Sequence, residues 1–216
     1  LQQAASSALG FSPSRTMRVA QRLYEGVDFG EGPVGLITYM RTDSVSVSNQ
    51  AREACRAWLR EHLGDAFVPE KPNAYRSRGS AQEAHEAIRP VDLTRTPEQL
   101  RPHLPAEAAR LYELVGRRFV SSQMTPARIR QGPFEVTADA DEPTPAGRDY
   151  TFRASASEIV FEGYMKIGGK EKTRKKEGAE EAEQLPPLEE GELLERLGDW
   201  LKEEKQNQPP ARYSEA

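Results

Sequence analysis

Residues 35–44, GLITYMRTDS, begin as an apolar run and end in a crowd of reactive side chains: Tyr39, Arg41, Thr42, Asp43 and Ser44. Side chains alternate faces along a strand, so Leu36, Thr38 and Met40 are expected on one face and Ile37, Tyr39 and Arg41 on the other. A phenol with a pKa of about 10 is a poor nucleophile at neutral pH, and a neighbouring cation lowers that value. The same cation can stabilise negative charge on a phosphoryl group under attack. Tyr39 beside Arg41 therefore has the composition of a phosphate-attacking pair. The plainer alternative is a tyrosine with its ring in the core and Arg41 paired to Asp43. On the spacing alone the plainer alternative is the better one.

A second group stands in QEAHEAIRP, residues 82–90. On a helix His85 and Arg89 are four apart and share a face, with Glu86 beside them. The His-Glu pair matches the start of the zinc-protease HExxH pattern, but the fifth position is Arg89, so a metal reading is rejected. What remains is either an exposed helix with ordinary pairs, or a histidine and an arginine offered together to a phosphate. A weaker feature, AQRLYEG, supplies Gln21 and Glu25 at a helix end.

The elements that must position these groups are legible in part. Residues 1–9 read as a helix stopped by Gly10, and Ser12 caps a second helix with Pro13 at its first position and Met17, Ala20, Leu23 and Tyr24 on one side. VDFGEGPVG reads as a hairpin or loop, followed by a strand VGLITYM. Ser48 opens a helix with the stripe Ala51, Ala54, Cys55, Trp58 and Leu59. Ser80 caps a short helix AQEAHEAIR, and Thr96 with Gln99 forms a capping box. A long helix through Leu111, Leu114, Val115 and Phe119 ends near Met124. From Ala127 to Ile167 the pattern turns to β: PFEVTADA, DYTFRASA and EIVFEGYMKI. KEKTRKKEGAEEAEQ is a charged linker, and GELLERLGDWLKEE fits a helical stripe interrupted by Gly198. The fold class is α+β, several short helices with a two-strand wing followed by a β-rich unit.

The 216 residues suffice for one large or two ordinary domains. No apolar run approaches the ~20 residues of a membrane span. The single Cys55 excludes an internal disulfide and a multi-cysteine zinc site. A soluble intracellular protein is expected. The net charge of −4 hides an asymmetry: residues 1–130 carry 18 Lys and Arg against 14 Asp and Glu, while residues 171–204 carry 6 against 12. All but one of the 18 bases are arginine, whose fork suits phosphate, although arginine-rich composition by itself is a weak sign. The chain begins at Leu1 and ends just after a would-be helix cap, Ser214, and is read as a piece of a larger protein.

LITYMRTDS closely resembles the active-site segment of bacterial type IA DNA topoisomerases, in the topoisomerase I branch. LQQAASSALGFSPSRTMRVAQRLYEG, SAQEAHEAIRP and FVSSQMTPA agree in the same order, and QPPARYSEA resembles the start of that family's next helical region. The resemblance implies a winged-helix-like catalytic domain over residues 1–124, the second half of a β-rich arch over 125–205, and the beginning of a helical segment over 206–216. It turns the expectation for GELLERLGDWLKEE from helix to strand. It implies that Tyr39 attacks a phosphodiester of single-stranded DNA and becomes linked to the 5′ phosphate, with Arg41 steadying the scissile phosphate. His85, Asp43, Thr42, Ser44, Arg89, Gln21 and Glu25 are the DNA-contacting candidates. The partners implied are DNA and an N-terminal Toprim domain, which carries the acidic cluster for Mg2+; this segment alone is expected to be inactive and to hold no metal. A bacterial, cytoplasmic, nucleoid-associated protein follows. The alternative from another class is a non-catalytic winged-helix DNA-binding module in which Tyr39 only packs, with a regulatory interaction domain a distant third.

Overall fold

The computed structural model describes residues 1–29, 32–75, 86–144, 147–168 and 189–195 with the single positions 198, 204, 206 and 209; strand residues 139–144, 147–149 and 155–156 are described by backbone alone. The described residues are of the α+β class. Leu1–Arg128 with residues 161–168 form one compact unit, and Ile129–Val160 belong to another.

Side-chain capping starts three of the described helices. Helix α1, Gln2–Leu9, ends at Gly10. Helix α2, Pro13–Glu25, starts where the Ser12 side chain accepts the Arg15 amide, with Pro13 pre-set for the first turn. Its buried stripe is Thr16, Val19, Ala20 and Leu23. That corrects the expected stripe: Met17 is only partly buried and Tyr24 lies in solvent. Strands β1, Val27–Asp28, and β2, Pro33–Val34, pair antiparallel as the small hairpin expected there.

Helix α3, Asn49–Leu63, is capped by Ser48 and buries Ala51, Cys55 and Leu59, but Ala54 is exposed and Arg56 takes an inner place. Arg56 is tolerated because its Nη1 donates to the Pro69 carbonyl at 2.7 Å. A 3-10 turn, Asp65–Phe67, follows. Helix α4, Pro97–Leu100, opens with the expected reciprocal box between Thr96 and Gln99 and runs into a second 3-10 turn, Arg101–His103. Helix α5, Ala106–Ser122, contributes Leu111, Tyr112, Val115 and Phe119 to the interior.

Two apolar clusters result. One joins α1, α2, Leu36, Ile37 and Met40 to the first half of α5; the other joins α3 to the end of α5 and Met124. Each fully buried Leu or Ile here contributes about 1.5–3 kcal/mol by leaving water, which is why the chain around Leu36 and Ile37 is held firmly.

Strands β3, Arg128–Thr144, and β4, Gly147–Phe161, form a two-stranded sheet. Ion pairs Arg130–Glu158, at 3.2 Å, and Arg153–Glu135, at 2.8 Å, cross between them. Both are exposed, so they contribute little. The expected strand EIVFEGYMKI stops at Phe161. Gly163 adopts φ 49° with no room for a Cβ, which would lie 2.5 Å from the Pro126 carbonyl oxygen, and helix α6, Met165–Gly168, follows. Residues 192–195 form neither strand nor helix; most of the remaining expectation for residues 191–204, and that for the charged linker, lie outside the described residues. Among the described residues no helix is long and apolar enough to cross a membrane.

Candidate active site

The expected strand VGLITYM is not a regular strand beyond Val34. Residues 36–38 instead make a short antiparallel contact with residues 89–91, centred on the bridge between Ile37 and Pro90. The Thr38 amide donates to the Arg89 carbonyl at 2.9 Å, and the Val91 amide to the Leu36 carbonyl at 3.0 Å. Strict alternation fails as a consequence. Leu36 and Ile37 are each 1% exposed although adjacent, and Met40 is 3% exposed. Leu36, Ile37 and Met40 all belong to the one apolar cluster built with α1, α2 and α5.

Between these buried anchors Tyr39 is 40% exposed. Its ring meets the ring of Tyr24 edge to face, with centroids 5.2 Å apart and planes at 64°. The meeting is imposed by the end of α2. The Leu36 amide donates to the Leu23 carbonyl at 2.8 Å, and at Gly35 a Cβ would lie 2.8 Å from the Tyr24 carbonyl oxygen. Tyr24 is itself 41% exposed. The two rings thus brace each other at the surface.

Arg41 and Asp43 are exposed, and Arg41 forms no ion pair with Asp43. Thr42 Oγ1 accepts the Ser44 amide at 3.0 Å and Ser44 Oγ accepts the Ser46 amide at 3.2 Å, two successive hydroxyl turns that curl the loop. One turn back on α2, Gln21 Nε2 donates to Glu25 Oε1 at 2.7 Å.

The second group is arranged differently from its expectation. Residues 86–89 form neither helix nor strand, with a bend at Ile88, so Arg89 is not on the expected helix; His85 lies outside the described residues. The backbone amides of this stretch are spent on residues 38 and 46 instead of on a helix. Arg89 is turned inward, its side chain 14% exposed, with Nη2 on Glu86 Oε2 at 2.8 Å and Nη1 on the Pro90 carbonyl at 3.0 Å. Its Nε is buried without a hydrogen-bond partner. Burial pushes the Glu86 carboxyl up, but the Ser48 amide and the Arg89 guanidinium outweigh it and hold the group below its usual range.

Three contributors escaped the sequence reading: Tyr24, Thr38 and Glu86. A hydroxyl in the apolar run LITYM was the available signal for Thr38, since a buried hydroxyl needs a partner. Tyr24 offered none, because its neighbour is decided by the docking of α2.

Among the described residues no three His, Cys, Asp or Glu side chains gather where a metal ion could be held. Asp43 stands as a lone carboxylate in the loop, which does not make a magnesium site. A cleft adjoining the loop, lined by Val45, Val47, Arg52, Asn73 and Tyr75 among others, has about 140 Å³. That is below the several hundred Å³ of a small-molecule pocket. Tyr39, Arg41 and Asp43 are themselves exposed, an arrangement suited to a polymer.

The whole chain, residues 1–216, matches the family model described as DNA topoisomerase. It is 44% identical over 216 residues to DNA topoisomerase 1 of Treponema pallidum (strain Nichols), covering all of this chain and 28% of that protein. It is 43% identical over 221 residues to DNA topoisomerase 1 of Xylella fastidiosa (strain Temecula1 / ATCC 700964), covering 26% of it. Among solved structures, full-length topoisomerase I from Thermotoga maritima is similar with a TM-score of 0.67 and 37% identity, over 88% of this chain and 28% of that one. The chain therefore spans roughly a quarter of the length of these relatives. By the family match over its full length, this chain belongs to the DNA topoisomerases, in the bacterial topoisomerase I branch.

Proposed function

We propose that this chain carries the DNA-cleaving tyrosine of a type IA topoisomerase and that Tyr39 is the nucleophile. The Tyr39 oxygen attacks a backbone phosphorus of single-stranded DNA. One P–O bond forms to the tyrosine as the bond to the 3′ oxygen breaks, and the phenolic proton is balanced by the proton taken up by the departing 3′ hydroxyl. One phosphodiester replaces another, so the bond energy is kept and no ATP is required. The free 3′ hydroxyl reverses the step after another strand has passed, and negative supercoils relax. Arg41 steadies the phosphate as its charge shifts. Asp43, Thr42, Gln21 and Glu25 are DNA-contacting candidates beside it, and His85, outside the described residues, is another; Ser44, 7% exposed, and Arg89, held on Glu86, would serve indirectly.

In this reading residues 1–124 are a winged-helix-like unit, 125–205 part of a β arch and 206–216 the start of a further helical segment. The Mg2+ of the whole enzyme belongs to an acidic Toprim domain of the longer protein, which acts on the bacterial chromosome in the cytoplasm.

One observation carries the reading: the motif tyrosine is held at the surface between residues that are almost completely buried. A tyrosine that merely packed would bring its ring inside with Leu36 and Met40. The test is Tyr39→Phe in the full-length protein. The ring and its contact with Tyr24 are kept while one hydroxyl is lost, so single-stranded DNA binding should persist and the covalent protein–DNA adduct should vanish. An adduct formed by the Phe variant would refute the assignment.

A further inference from the structure

The loop bearing Tyr39, Arg41 and Asp43 stands on two feet, and both are tied to the same distant stretch, residues 86–91. At the first foot Thr38 Oγ1 donates to the Ala87 carbonyl at 2.7 Å and accepts the Arg89 amide at 3.0 Å. At the second foot the Ala87 amide donates to the Ser46 carbonyl at 2.8 Å, and Glu86 Oε1 accepts the amide of Ser48, the cap of α3, at 2.9 Å. The other oxygen of Glu86 holds Arg89 at 2.8 Å. Ala87 is thus bonded to both feet, through its carbonyl to Thr38 and through its amide to Ser46.

We propose that Thr38 is a positioning residue for Tyr39: its hydroxyl, bridging Ala87 and Arg89, fixes the register of the tyrosine loop against residues 86–91, while Glu86 fixes the loop's other foot. The inference rests on the reading of Tyr39 as the nucleophile. Tyr39 is half in solvent, so packing alone does not set where its oxygen points. Thr38 is the residue immediately before it, and a two-bonded hydroxyl on a β-branched side chain is stiff at χ1. Removing that hydroxyl leaves Leu36 and Ile37 buried, and the backbone bonds from Thr38 to Arg89 and from Val91 to Leu36 in place. The chain therefore stays folded and paired while the hold of Ala87 and Arg89 on the loop's first foot loosens. Attack in line with a breaking P–O bond is sensitive to such a shift.

The test uses the full-length enzyme with Thr38→Val, Thr38→Ser, Glu86→Ala and Tyr39→Phe. Two quantities are read on a single-stranded oligonucleotide, the dissociation constant and the single-turnover rate of adduct formation. Thr38→Val, close in volume but without the hydroxyl, should slow adduct formation about 10- to 100-fold at unchanged affinity. Thr38→Ser should restore most of the rate, and Glu86→Ala should slow it in the same manner. An adduct rate for Thr38→Val equal to the parent's would overturn the proposal. So would a parallel loss of binding and cleavage that serine does not rescue, the signature of a purely structural residue. Should Thr38→Val melt far below the parent, Glu86→Ala carries the same test from the other foot. If Tyr39→Phe still forms the adduct, the nucleophile assignment falls and this inference with it. If Tyr39→Phe is silent while both foot variants cleave at full rate, only the positioning role is lost.

Discussion

Gly35→Ala is expected to loosen the joint between α2 and the tyrosine segment. A Cβ at residue 35 would lie 2.8 Å from the Tyr24 carbonyl oxygen, whereas ordinary contact starts at 3.4 Å. The obstacle is backbone, so no rotamer change relieves it and the end of α2 must move away. Next to it the Leu36 amide reaches the Leu23 carbonyl at 2.8 Å, and a displacement of that size takes this bond to the edge of hydrogen-bonding distance. Overpacking costs about 1–3 kcal/mol and the weakened hydrogen bond about 1 kcal/mol. Against these, alanine restricts the unfolded chain and returns about 0.4–1 kcal/mol. The net loss is about 1–3 kcal/mol, or roughly 5- to 150-fold in a local opening equilibrium. Amide hydrogen exchange read at Leu36 measures it directly, since that amide is the donor of the strained bond. Gly116→Ala is the control: its Cβ would meet only Pro90 Cγ at 3.7 Å, inside α5, where alanine stabilises by about 0.5–1 kcal/mol. Unchanged exchange at Leu36 in Gly35→Ala, or an equal effect from Gly116→Ala, would rule out a clash at this joint.

Two further outcomes follow from the buried ionisable groups. Burial pushes the Cys55 thiol up to about 12, so the native protein should resist alkylation at pH 8 and react at the rate of a free thiol only after denaturation. Alkylation as fast as that of an unfolded control would contradict it. Burial likewise raises Tyr112 to about 12 from 10.0, and its hydroxyl donates to the Arg95 carbonyl at 2.8 Å. The folded value lies above the unfolded one, so the contribution of Tyr112 is complete below pH 10 and is lost between pH 10 and about 12. Tyr112→Phe should cost about 1–2 kcal/mol at neutral pH by leaving that carbonyl unpaired, and should flatten the alkaline limb of a denaturant-midpoint series; an unchanged limb would count against it.

What could be read directly were the features settled within one turn of chain. Ser12, Ser48 and Thr96 cap the helices they introduce because a hydroxyl three residues from an unpaired amide needs no distant partner. The hairpin at Val27–Asp28 and Pro33–Val34, and the crowding of Tyr39, Arg41 and Asp43, are local in the same sense. The tertiary structure decided everything that required two distant segments to meet. Alternation placed Leu36 and Ile37 on opposite faces; both are buried because the segment leaves regular strand after Val34 and packs into one apolar cluster with α1, α2 and α5. Pairing with the Tyr39 segment drew residues 86–89 out of the helix their periodicity favoured, since the Arg89 and Ala87 amides find Thr38 and Ser46. It also turned Arg89 inward onto Glu86. Tyr24 left the expected apolar stripe because α2 ends against Gly35, a contact that helical periodicity does not encode. A sequence lists its local hydrogen-bond partners within reach, whereas the choice among distant ones is made by burial, which is a property of the assembled chain.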